Sequence, residues 1–138
     1  MTTANTSLAQ HLKQHSQSLT QARRAVFAAL QNKEPQTMQQ LVTACGSIDR
    51  ASVYRTVALF EKLGIVQRLQ IGWKYKLELA GRFSRHHHHL SCLECGQVIS
   101  FDESPTLERE LRWAAASRHF KIRSHQLEIQ GICQNCQL

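Results

Sequence analysis

Four consecutive histidines, His86, His87, His88 and His89, run through Leu90-Ser91 into a C-x-x-C pair, Cys92 and Cys95. A second C-x-x-C pair, Cys133 and Cys136, stands near the end of the chain. Neutral imidazole suits zinc, iron, copper or nickel, and paired thiolates suit zinc or iron–sulfur clusters. Four thiolates in two pairs can surround one ion tetrahedrally, as in a closed structural zinc site. That is the reading for Cys92, Cys95, Cys133 and Cys136. The pairs are further apart than in a compact zinc ribbon, so a folded segment lies between them. The competing readings are two unconnected reduced pairs or a disulfide framework. The latter suits secreted chains, and no secretory signal is evident.

An internal position argues against a purification tag for the histidine run. A solvated polar loop is the bland alternative. If the segment is extended, alternate side chains face opposite ways. His86 and His88 then point to one side and His87 and His89 to the other, giving half of a metal site on each side of one strand.

These groups belong to a chain of 138 residues, 42% hydrophobic, which is one domain or two small ones. No run approaches a membrane span, and five cysteines without an export signal point to a reducing cytoplasm, with Cys45 unpaired. The charge is divided unevenly. Residues 1–82 hold eleven lysines and arginines against four carboxylates, a balance of +7, whereas residues 83–138 hold six of each. The second part has four of the five cysteines and six of the eight histidines. The sequence thus reads as a basic module, 1–82, joined to a metal-binding module, 83–138. A basic module suggests an anionic partner, nucleic acid first, beside the plainer reading of solubilising charge.

Along the basic module, residues 1–6 read as loose, and Leu8 and Leu12 mark a short amphipathic helix from Ser7 to about His15. Thr20 caps a helix from Gln21, with Arg23 and Arg24 in its first turn, where they oppose the helix dipole and are placed to face phosphate. Thr37 caps a third helix, Met38 to Cys45. A fourth starts from Ser47 or Asp49 and stops at Gly64. Val53, Val57, Phe60 and Leu63 mark its buried face. Ser52, Arg55, Thr56, Leu59 and Lys62 lie round the other side, with Tyr54 on the flank. Two strands follow, Ile65–Leu69 and Trp73–Leu79. In the second, Trp73, Tyr75, Leu77 and Leu79 share one face, and Lys74, Lys76 and Glu78 the other. Helices followed by a hairpin give the order of a winged helix-turn-helix, whose last helix enters the major groove. There Arg55 can reach a guanine edge or phosphate and Tyr54 a thymine methyl; a solvated charge and a core-edge tyrosine are the alternatives.

Glu78 precedes a hinge at residues 80–85 and could reach over to the histidines. Beyond them, Gln97–Phe101 reads as a strand, Ser104-Pro105 as the cap and first residue of a helix to about Ser117, and 120–123 and 126–130 as strand material. Glu108 lies near the helix start. His125 shares parity with Leu127 and Ile129 and becomes a ligand candidate beside the histidine strand.

Several stretches together resemble the ferric uptake regulator family, which includes zinc uptake regulators. They are Leu19-Thr-Gln-Ala-Arg-Arg24, Ala51-Ser-Val-Tyr-Arg-Thr56, Leu63-Gly-Ile-Val66, His86 to Gly96, Ser124-His125 and Gly131-Ile-Cys-Gln-Asn-Cys136. The resemblance implies an α+β chain: an N-terminal winged-helix DNA-binding domain and a small C-terminal α/β dimerisation domain with metal sites. It implies a cytoplasmic homodimer that binds a double-stranded DNA operator when loaded with a divalent metal, and represses metal-uptake genes. No small-molecule substrate and no membrane partner are expected.

By that resemblance Tyr54 and Arg55 match the DNA-contacting pair, with Ser52 and Arg23 beside them. Cys92, Cys95, Cys133 and Cys136 match a structural zinc site; Glu78, His87 and His89 a regulatory zinc or iron site; and His86, His88, Glu108 and His125 an additional site. Many members supply a further histidine from the loop before the third helix, which here reads Lys33-Glu34-Pro35-Gln36. Glu34, Cys45 or water are the alternatives. Four histidines, where iron regulators often carry an aspartate in third place, lean the ligand set towards zinc.

Two other classes compete. A zinc hydrolase needs an open coordination position and a general base, but no H-E-x-x-H or H-x-E motif is present. A metal store or zinc-ribbon interaction module leaves the basic winged helix without a use.

Overall fold

The computed structural model describes residues 3–137 and divides into two compact units, 1–85 and 86–138. Among the described residues, five α-helices and five strands carry the fold. The first unit contains α1 (Thr3–Gln14), α2 (Gln21–Leu30), α3 (Met38–Ala44), α4 (Arg50–Lys62), β1 (Val66–Ile71) and β2 (Lys74–Leu79). The second contains β3 (His87–Cys92), β4 (Val98–Asp102), α5 (Pro105–Ala116) and β5 (Glu128–Gly131).

Local chemistry sets the helix ends. Thr20 Oγ1 accepts from the Arg23 amide, and Asp49 Oδ2 from the Ser52 amide. Thr37 and Gln40 form a reciprocal capping box. At the far end of α4, Gly64 takes φ +73°, a conformation that favours glycine. Its amide bonds to the Glu61 carbonyl and the Ile65 amide to that of Phe60, so the last carbonyls of the helix are satisfied.

The apolar faces of α1–α4 and of the β1–β2 hairpin meet in one core that includes Leu8, Phe27, Leu41, Val53, Phe60 and Leu77. α1 begins earlier than the sequence indicates: residues 3–6, read as loose, already belong to the helix, and residues 1–2 lie outside the described residues. Thr56, read as outward-facing, is buried. It stands three residues after Val53 and four before Phe60, so helical periodicity places it within the same stripe. Cys45 is also a core residue, and burial pushes its thiol pKa up, so it fits as a small hydrophobe rather than a ligand.

The hairpin pairs from Val66↔Leu79 to Ile71↔Lys74, which leaves Gly72-Trp73 as a two-residue turn. Gly72, with φ +61°, takes the first central position. Trp73 therefore sits in the turn, 86% exposed, and not in the strand with Tyr75, Leu77 and Leu79 as its parity had placed it. Gln36 and Leu77 exchange backbone hydrogen bonds of 2.9 and 2.6 Å, adding a bridge at the edge of the hairpin. The following turn, Gly81–Phe83, is fastened to the first unit. Phe83 packs edge-on against Phe27 at 5.6 Å, and Arg82 Nη2 lies 2.9 Å from His11 Nδ1. The first compact unit therefore continues through Arg85.

In the second unit β3 is the central strand, antiparallel to β4 and parallel to β5. Ser104 caps α5 with Pro105 in its first turn. Residues 120–127, partly read as strand, form none; β5 starts only at Glu128. Side-chain alternation cannot assign residues that lack a ladder partner. His125 thus lies outside the strand whose parity had recommended it.

Candidate metal centres and nucleic-acid interface

The end of β3 and the Gly96 turn build the thiol cluster. Gly96 adopts φ +77°, and its amide donates to the Cys92 carbonyl at 2.9 Å, folding the first C-x-x-C into a tight turn. The amides of Cys95 and Cys133 both donate to Cys92 Sγ, at 3.5 and 3.3 Å. Cys95 Sγ lies 3.8 Å from Cys133 Sγ, and the four sulfurs of Cys92, Cys95, Cys133 and Cys136 all lie within 4.8 Å of one another. A tetrahedral zinc with bonds of about 2.3 Å sets its sulfurs about 3.8 Å apart, whereas a disulfide needs about 2.05 Å. All five cysteines are free thiols, so the donor set fits zinc.

The amides of Cys95 and Cys133 bring the Cys92 thiol down to about 6. Hydrogen bonding with Cys133, then burial, pushes Cys136 up to about 12. Cys92 is thus a readier thiolate than Cys136, which must give up its proton to become a ligand.

β3 carries the imidazoles. His86 and His88 stack edge-on at 4.7 Å, and His87 and His89 do the same at 4.7 Å, as alternation along an extended segment requires. Glu108, in the first turn of α5, receives the first pair. Its Oε1 accepts from His88 Nε2 at 2.6 Å and lies 3.2 Å from His86 Nε2. His125 Nε2 is 2.8 Å from Oε2 but is not aligned as a hydrogen bond. Three ring nitrogens and one carboxylate thus converge without exhausting their pairing, an arrangement that suits a divalent ion. Burial works against the Glu108 charge, but hydrogen bonds from His88 and His86, with the charge of His125, hold its carboxyl below the usual range. His88 Nδ1 is buried with no hydrogen-bond partner among the described residues.

His87 and His89 are in the second unit. Glu78, the third residue of the expected regulatory set, is in the first, on β2 opposite Gln67. Gln67 Nε2 donates to Glu78 Oε1 at 2.6 Å and fixes the carboxylate. Gln67 was not singled out from the sequence, although its register opposite Glu78 is implied by a two-residue hairpin turn.

On α4, Tyr54 and Arg55 are exposed. Arg55 Nη2 donates to Ser52 Oγ at 3.0 Å, and Ser52 Oγ donates to Asp49 Oδ1 at 2.7 Å. Ser52 therefore orients Arg55, with its own hydroxyl already engaged. Arg23 uses Nη1 on the Ser18 carbonyl at 2.6 Å, closing the turn before α2. Arg50, missed in the sequence reading, lies one helical turn before Tyr54. Its guanidinium carbon is 5.8 Å from the centre of the Tyr54 ring. The i, i+4 spacing of an arginine and a tyrosine was the available signal. Among the described residues no helix is long and apolar enough to cross a membrane.

The pattern of the ferric uptake regulator family matches residues 14–130. The ferric uptake regulation protein of Campylobacter upsaliensis is 38% identical over 89 residues, 62% of this chain and 54% of that protein. The chain thus spans about half the length of that curated relative. The Vibrio cholerae ferric uptake regulator superposes with a TM-score of 0.73 at 30% identity, covering 90% of this chain and 98% of that one. The Helicobacter pylori regulator superposes with a TM-score of 0.80 at 22% identity, covering 98% and 92%, which is a likeness of fold. A winged helix joined to a unit of clustered thiols and imidazoles, and a family pattern spanning residues 14–130, place this chain in the ferric uptake regulator family.

Proposed function

We propose that the chain is a metal-responsive DNA-binding regulator that works as a homodimer and represses genes of metal uptake. The observation that carries this reading is the division of labour along one chain. An exposed α4 face with Tyr54 and Arg55 belongs to the basic unit, while imidazole and thiol sets occupy the other. In this reading α4 enters the major groove of an operator, Arg55 reads a base edge or holds phosphate, and Ser52 and Arg23 keep the reading surface in shape.

Cys92, Cys95, Cys133 and Cys136 would hold a structural zinc, and His86, His88, Glu108 and His125 a second ion within the same unit. Glu78, His87 and His89 would hold the sensed ion, zinc or iron. The ion supplies positive charge and a fixed demand on ligand direction. A ligand set drawn from both sides of residues 80–85 turns affinity for that ion into a preference for one arrangement of the two units. DNA affinity and metal affinity must then be coupled in both directions. A homodimer is supported by the exposed row of Leu90, Ile99 and Ile129 across the sheet of the second unit. The free cysteines suit a reducing cytoplasm.

Retention of a random-sequence duplex pool, titrated separately with zinc and iron, tests the reading. His87→Ala and His89→Ala should remove the metal dependence and leave the thiolate zinc in place. His86→Ala and His88→Ala should mainly weaken the fold or the dimer. Four alike phenotypes, or a grouping by sequence neighbours, would contradict the assignment. Metal-independent retention by the wild type would contradict the regulator itself.

A further inference from the structure

The two faces of β3 are supplied with carboxylates in different ways. The ladder with β4 sets His88 opposite Phe101, and their rings lie 5.6 Å apart, so residues paired across these strands share a face. On that face His86 and His88 meet the carboxylate of Glu108, which comes from α5. One residue along, and so on the other face, the same ladder sets His87 opposite Asp102. On the far side of β3 the parallel ladder sets His89 opposite Glu128. Ser100 is the residue opposite His89 on β4. Each ring of this second pair therefore has a carboxylate of its own on a neighbouring strand, the exposed Asp102 on β4 and the half-buried Glu128 on β5. All four residues belong to the second unit. β-Carbons of directly opposed residues lie about 4.5–5.5 Å apart in an antiparallel pair, and neighbouring strands about 4.8 Å apart. At that spacing a carboxylate can accept a hydrogen bond from the ring beside it.

An imidazole that gives one nitrogen to a metal keeps an N–H on the other. A carboxylate that accepts from this N–H fixes the tautomer and the direction of the ring, and strengthens the ring as a donor. We propose that Asp102 and Glu128 are those acceptors for His87 and His89, and that they set the affinity of this pair for its ion. The inference rests on the reading of His87 and His89 as ligands of the sensed ion. Asp102 and Glu128 are positioning residues, which act through the rings and do not touch the ion. Their loss therefore lowers affinity without changing the number or kind of ligands. The set around Glu108 draws on neither carboxylate and keeps its own affinity.

The test is a cobalt(II) titration of the full chain with zinc already at the thiolate site, followed by visible absorption. The part of the signal missing in His87→Ala and His89→Ala belongs to this pair, and the part that persists belongs to the other imidazoles. Asp102→Ala and Glu128→Ala should each weaken cobalt binding at the pair at least about tenfold. Asp102→Asn, which keeps an acceptor but no charge, should lie between Asp102→Ala and the wild type. In all three the ligand-field bands at saturation should keep the wild-type position and intensity, and the persisting signal should titrate as before. Wild-type affinity in both alanine variants would overturn the proposal. Altered bands at saturation would also overturn it, because they would make the carboxylates ligands themselves. Equal weakening of the persisting signal would reduce their role to general support of the sheet. If His87→Ala and His89→Ala lose no cobalt, the reading of the pair as ligands fails and the role of Asp102 and Glu128 falls with it. If those two variants lose an ion while Asp102→Ala and Glu128→Ala bind as the wild type does, only the present proposal fails.

Discussion

In the first unit Phe27, Phe60, Leu8 and Leu41 are closed off from water by helices whose caps are set in their own sequence. In the second, the buried side chains include His88, Cys92 and Glu108, while Leu90, Ile99, Ile129 and Trp113 remain at the surface. Apolar burial of about 25 cal/mol per Å² can hold the first unit together. The second has little of it, and a unit so small is marginal without a metal or a partner. The two halves thus respond to different conditions. One should fold on its own terms, and the other should be as stable as its ion sites and its partner surface make it.

The strongest way to break the comparison is Cys136→Ser. It should abolish zinc retention at the thiolate site and unfold the second unit, while the helices of the first keep their circular dichroism. The mirror experiment is Phe60→Ala, which should cost the first unit about 3–5 kcal/mol. Denaturant melts should show it, and metal analysis should show unchanged zinc. Glu108→Gln keeps the shape of the side chain but removes the charge facing three imidazoles. Affinity at that set, followed by calorimetric zinc titration, should fall at least about tenfold, since outer-shell partners alone cost that much. The smallest effect belongs to Arg68→Ala. Its pair with Glu61 is partly exposed, and only about 0.2–1 kcal/mol should be lost in thermal melts.

The sequence was readable where the physics is local. The caps at Thr20, Thr37 and Asp49, the stop at Gly64 and the Ser104-Pro105 start of α5 each depend on a few adjacent residues. The split of the histidines into two faces was readable because a strand has a period of two, and Glu108 and His125 join the side that alternation gave. What was not readable depends on pairings that composition and alternation alone do not reveal. Trp73 belongs to a turn because Ile71 pairs with Lys74. The stretch before Glu128 has strand composition but no ladder. His125 is a donor candidate because it meets Glu108, and not because of its parity. The local bonds of Ser52 to Asp49 and of Arg23 to the Ser18 carbonyl are not fixed by residue type alone.

Amide hydrogen exchange on the metal-stripped protein, before and after zinc is returned, tests the central contrast most directly. Residues 26–30 and 53–60 should stay protected throughout. Residues 88–92 and 107–115 should lose protection when metal is removed and regain it with zinc. Equal protection of both units without metal, or collapse of both together, would contradict the view that one half is held by its apolar core and the other by its metal donors.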